Sequence, residues 1–192
     1  MALRSKAKPA YIPAPAGTHT AILFALADCG LQHSERYGSE SERLWVEFEL
    51  ANELMEDGRP FTIGQIVTNS LSTNAPWRGI VEALVGRALK PTEAADLDIT
   101  RLLGRACLVS ISHSESGGRT KAKIDSAMPL PKGTTVPPRH NEILAYDTEA
   151  PDDQVFAKLP THVRDLIEKR IRVGQRKTAR PEGFAAEEAI TY

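Results

Sequence analysis

Ser110, Ser112, His113 and Ser114 fall within five positions, and a hydroxyl beside an imidazole is the raw material of a hydrolase. The resemblance to a hydrolytic site goes no further. The stretch LVSISHSES lacks a nucleophile-elbow pattern and reads as a strand end running into a loop, where polar side chains serve the turn. The acid pairs Glu47/Glu49 and Asp152/Asp153 have no partners that would mark them as acid–base or metal sites. The first sits on a solvated strand face and the second in a linker. His19, His33, His113, His140 and His162 make no ligand pair at metal-binding spacing with one another or with a cysteine. Gly117-Gly118 is a turn, too short for a phosphate loop. No enzyme, metal or cofactor is expected.

Cations are the other chemistry on offer. Residues 101–133 hold Arg101, Arg105, Arg119, Lys121, Lys123 and Lys132 against Glu115 and Asp125 alone. Lys121 and Lys123 are two apart in a β-like run, hence on one face, with Arg119 in register. That alignment suits a track of phosphates, although a solvated sheet face is the plainer account of it. Single-stranded nucleic acid also needs flat rings, on which stacking contributes about 1–3 kcal/mol per base. Trp45, on the non-core face of its strand, and Tyr37, in a Gly/Ser loop, are the candidates. Phe48 and Phe61 are assigned to the core, and Trp77 to helix packing.

The totals neither demand nor forbid such a site. The 192 residues carry 24 Lys and Arg against 25 Asp and Glu, so a nucleic-acid surface must come from the distribution of charge. That distribution is blocky: residues 35–57 hold eight acids, residues 146–156 are acidic only, and residues 164–180 hold seven basic residues against two acids. A hydrophobic share of 41% is that of an ordinary globular domain. Cys29 and Cys107 lie far apart in apolar runs and read as small core residues in a reducing compartment. With no long apolar run and no signal-peptide core, a cytoplasmic protein is expected.

The positioning elements follow from period. Residues 1–16 read as a flexible, basic, Pro-rich arm. THTAILFALADCGLQ reads as a first strand closing near Gly30, and HSERYGSESE as loop. In LWVEFELAN, Leu44, Val46, Phe48 and Leu50 share one face; after an Asp-Gly turn, FTIGQIVTNSL completes a hairpin. TNAPWRGIVEALVGRAL switches to helical period, with Asn74 as a plausible cap and Pro76 in the first turn. PTEAADL is a short acidic helix or turn. RACLVSISH and RTKAKIDSAM form a second hairpin around Ser114–Gly118, and PLPKGTTVPPRHNE is an extended exit. Residues 146–176 read as an acidic linker followed by an amphipathic helix over 160–173, and residues 177–192 as a flexible tail.

Five strands with a helix between the third and fourth is the order of an OB-fold barrel, so the expected fold is mainly β with α. A five-stranded antiparallel OB-fold-like barrel would occupy 17–145, followed by a C-terminal helical extension. The W-x-E-F strand, LLGRACLVSI, the Gly-Arg-x-Lys-x-Lys strand and the PLPKG exit resemble the small bacteriophage single-stranded-DNA-binding proteins of OB-fold type, across about residues 17–171. The resemblance implies cooperative, sequence-independent coating of single-stranded DNA without catalysis, in phage replication and recombination, with Lys121 and Lys123 in the groove. Partners would then be single-stranded DNA, phage replication or recombination proteins, and further copies of the chain. The tail EGFAAEEAITY is only mildly acidic and ends on an aromatic residue, a departure from the acidic tails of such proteins. Two alternatives remain open: a non-catalytic phage structural or protein–protein interaction module, and a DNA-processing enzyme whose carboxylates assemble from distant residues.

Overall fold

Alternation along a long strand decides the layers. A computed structural model describes residues 12–35 and 38–171. In β2 (Ser39–Leu54), Leu44, Val46, Phe48 and Leu50 are all buried on one face. They join Leu23 of β1 (Gly17–Ser34), Ile63 and Val67 of β3 (Pro60–Thr68), and Val109, Ile111 and Ile124 of β4 (Ala106–Ser116) and β5 (Arg119–Met128) in one core cluster. Helix α1 (Pro76–Val85) closes that cluster with Trp77, Ile80, Val81 and Leu84, its apolar stripe at helical spacing. Pro76 sits in the first turn, where its missing N–H costs nothing, and Ala75 occupies the cap position expected for Asn74. Gly86 ends the helix at φ +80°, and its N–H is bonded to the Glu82 carbonyl.

The strands form one open antiparallel sheet in the order β3-β2-β1-β4-β5, with a short sixth strand, β6 (Leu144–Tyr146), pairing in parallel with β1. Strand β1 serves two neighbours along one edge: Gly17–Ile22 pair with β4, and Ala25–Ala27 with β6. Register shifts at Leu23/Ala25 and Asp28/Gly30 bend the strand between and beyond these partners. At the second shift Gly30 takes φ +66°, and the Asp28 carboxylate accepts its N–H at 2.9 Å. The first strand therefore runs through Gly30 to Ser34, and the stretch expected to be loop is mostly paired strand, with Ser34 opposite Ser39.

The back of the sheet is also covered. Two short helices, α3 (Asp153–Lys158) and α4 (Thr161–Glu168), follow β6. Leu159, Val163 and Ile167 pack with Ala25, Ala27, Cys29, Trp45 and Tyr146 as a second core cluster. The helix expected over 160–173 is thus shorter and docks on its own sheet. The acidic stretch before it is built structure: Asp152 caps α3, its carboxylate accepting the N–H groups of Gln154 and Val155. Helix α2 (Pro91–Ala95) and a 3-10 turn (Ile99–Leu102) link α1 to β4. Of the segment expected as a flexible arm, residues 12–16 belong to the fold, with Ala14 buried and its carbonyl 2.8 Å from His113 Nε2. Residues 1–11 and 177–192 lie outside the described residues.

Candidate nucleic-acid interface

The β4–β5 hairpin has an apolar side and a hydroxyl-and-lysine side, separated by strand period alone. Val109, Ile111 and Ile124 point to the core. Ser112 pairs with Lys123 and Ser114 with Lys121, and directly opposed residues share a face, so these four stand together on the outer side. Ser110 pairs with both Ser126 and Thr18, which extends the same face across β4 to β1. The result is a floor of short hydroxyl side chains with two lysines rising from it. Such a floor admits a sugar–phosphate backbone close to the sheet and offers it hydrogen-bond donors.

One acid interrupts it. A register shift between Ser110 and Ile111 leaves Asp125 as an extra residue between Ile124 and Ser126. Its carboxyl is held below the usual carboxylate range by the Ser112 hydroxyl and by Lys123, whose Nζ lies 3.3 Å away. Lys121 forms no ion pair with a described residue, so the two lysines are not equivalent.

The remaining cations divide between the ends of the hairpin. Arg105, exposed, leads into β4, and its carbonyl accepts the Leu23 N–H at 3.0 Å. Lys132 is exposed in the turn after β5, where Thr134 N donates to the Pro131 carbonyl. Both are at the base, whereas Lys121 and Lys123 are toward the tip. Strands of eleven and ten residues at about 3.3 Å per residue make the hairpin roughly 30–35 Å long. Arg101, in the 3-10 turn, is paired with Asp98 at 3.3 Å. Arg119 opens β5 opposite Ser116.

The aromatic half of the expected site is corrected. Trp45 is only 2% exposed. Its indole lies in the second core cluster against α4, over Gly64 of β3, where an added Cβ would stand 2.9 Å from Trp45 Nε1. It offers no open face to a base. Tyr37 lies outside the described residues. The neighbours of Trp45 on that face are acids with structural work. Glu49, 1% exposed, accepts the backbone N–H of His140 and of Asn141 at 2.8 Å each and the Asn141 amide at 2.7 Å, which clamps the Pro-rich exit onto the sheet. Burial pushes the Glu47 carboxyl upward, partly offset by a hydrogen bond from the Thr62 side chain.

No protein-family model matches the sequence, and no curated protein matches it either. The chemistry must therefore be read from geometry. His113 faces the core side toward Ala14, whereas Ser112 and Ser114 face outward, so the hydroxyls and the imidazole of LVSISHSES do not meet. Among the described residues no group of three His, Cys, Asp or Glu side chains could hold a metal ion, and no helix is long and apolar enough to cross a membrane. Ser110, Ser112 and Ser114 lie within β4 and not in the turn expected for them. Their recurrence at every second position was the signal that they line one face.

Proposed function

We propose that this chain binds single-stranded DNA without sequence preference along the outer face of the β4–β5 hairpin, as a non-catalytic coating protein of the kind that serves phage replication and recombination. The observation that carries the reading is the exposed pair Lys121 and Lys123 on one strand face, set on a floor of Ser110, Ser112, Ser114 and Ser126. The strand order β3-β2-β1-β4-β5, with α1 between the third and fourth strands, supports an OB-type barrel opened between β3 and β5. With Trp45 withdrawn, affinity on the described surface comes from phosphate contacts, and such binding is strongly salt-dependent.

The test is fluorescence anisotropy of a labelled oligo-dT strand at low and moderate salt, beside a duplex of equal length. Tighter binding to the single strand with a steep salt slope is the expected result; no binding at low salt refutes the reading. A second reading, a protein–protein interaction module, draws on the buried Trp45 and on the ion pairs of Lys123 with Asp125 and of Arg101 with Asp98. It expects a salt-insensitive oligomer or complex and no affinity for oligo-dT.

A further inference from the structure

One concavity of the described residues lies away from the hairpin. It is a cleft of about 720 Å3 between β1, the start of β2, the 3-10 turn and the segment 145–150 that runs out of β6. Its floor includes Leu31 and Leu44, and its walls carry the carboxylates of Asp28, Glu42, Asp147 and Glu149. Asp28 is committed to the fold, accepting the Gly30 N–H and the Thr148 hydroxyl. Glu42, Asp147 and Glu149 form no ion pair with a described residue. The one cation in the lining, Arg170, turns its Nη1 to the Ile167 carbonyl at 2.8 Å. An apolar floor under unpaired carboxylates suits an extended basic segment with a small apolar residue.

The chain itself arrives there. Ile171 lines the cleft, and its N–H donates to the Leu31 carbonyl at 2.8 Å, a strand-like contact on the edge of β1 beyond β6. Just before it the aliphatic stem of Arg170 lies across Gly30, where an added Cβ would come within 2.7 Å of Arg170 Cδ. Residue 172 is one peptide bond from this wall. Residues 172–180, RVGQRKTAR, contain Arg172, Arg176, Lys177 and Arg180 and no acid. Nine residues span up to roughly 30 Å extended, ample for the cleft. Tethered at its rim, they reach effective concentrations on the order of millimolar.

We infer that the cleft is the docking site for the chain's own segment 172–180, its cations facing Glu42, Asp147 and Glu149. Docked there, four cations are withheld from external phosphates, and the acidic wall is withheld from basic partners. The inference does not depend on the nucleic-acid reading.

A nitroxide on Thr178→Cys in the otherwise complete chain tests it. Cys29 and Cys107 are buried, and burial pushes their thiols up to about 11 and about 12, so the label goes to the new cysteine. In 15N-resolved spectra at low salt, the amides of Thr148 and Glu149 should fall below about half of their intensity with the label reduced, while those of Lys121 and Lys123 keep theirs. Glu42→Gln with Glu149→Gln should restore the cleft amides in a spectrum otherwise that of the folded protein. Full intensity at Thr148 and Glu149, or broadening centred on the hairpin, overturns the inference. So does equal broadening when label and 15N are on different molecules, since the occupant is then a second copy.

Discussion

Replacing Lys121 and Lys123 one at a time separates a phosphate track from a generic basic surface, because the two lysines stand on the same face in different surroundings. For single strands, log affinity falls with log salt at a slope of about −0.7 per phosphate contact, so each contact weakens binding about 2.5-fold between 50 and 200 mM salt. Lys121 has no ion-pair partner among the described residues and should contribute one full contact, so Lys121→Ala should flatten the slope by about 0.7. Lys123 shares its charge with Asp125 at 3.3 Å, and Lys123→Ala should flatten it by less. Asp125→Asn removes the competing charge while leaving an oxygen to accept from Ser112. It should tighten oligo-dT binding at 50 mM salt and steepen the slope by up to about 0.7, so that the gain at 50 mM exceeds the gain at 200 mM by about 2.5-fold. Anisotropy titrations at three salt concentrations read all three variants. An unchanged slope in Lys121→Ala, or weaker binding in Asp125→Asn, would refute the assignment of this face.

Three further outcomes test the architecture behind the hairpin. Glu49→Ala strands three donors in a buried site and should cost about 3 kcal/mol in denaturant unfolding; a loss under about 1 kcal/mol would mean that the clamp on His140 and Asn141 is not formed. Gly64→Ala drives a Cβ to 2.9 Å from Trp45 Nε1 and should destabilise by about 1–3 kcal/mol, much of it recovered in a Trp45→Phe background. Glu47 has its folded-state pKa raised by burial, so the folded protein favours its protonated form, and stability from that preference is lost once the pH rises through the raised value. Glu47→Gln should therefore raise the melting temperature near pH 7 and leave it nearly unchanged near pH 3, in thermal scans.

Much of this architecture was legible along the chain, and the misses have local causes. The alternation of Leu44, Val46, Phe48 and Leu50, the helical stripe from Trp77 to Leu84, and the outward register of Lys121 with Lys123 are consequences of backbone period, which needs no knowledge of neighbours. Gly30 misled because a glycine ends many strands, whereas here it makes a bulge that keeps the strand going. Asn74 lost the cap to Ala75 because Pro76 set where the first turn begins. Asp125 reads along the chain only as a countercharge; the bulge shows there as two polar residues, Asp125 and Ser126, between core-side Ile124 and Ala127, but only the register sets the carboxylate beside Lys123.

Strand period, then, determined which residues share a face; tertiary packing alone decided what each face meets. Trp45 stands on the same side of β2 as Glu47 and Glu49, a pattern that reads as a solvated surface. What buries it is Val163 and Ile167, more than a hundred residues later, together with the glycine that lets the indole settle on β3. Burial depends on contacts between segments distant in the chain, and a local pattern holds no record of them. The lysines of β5 are readable because no described residue distant in the chain covers them.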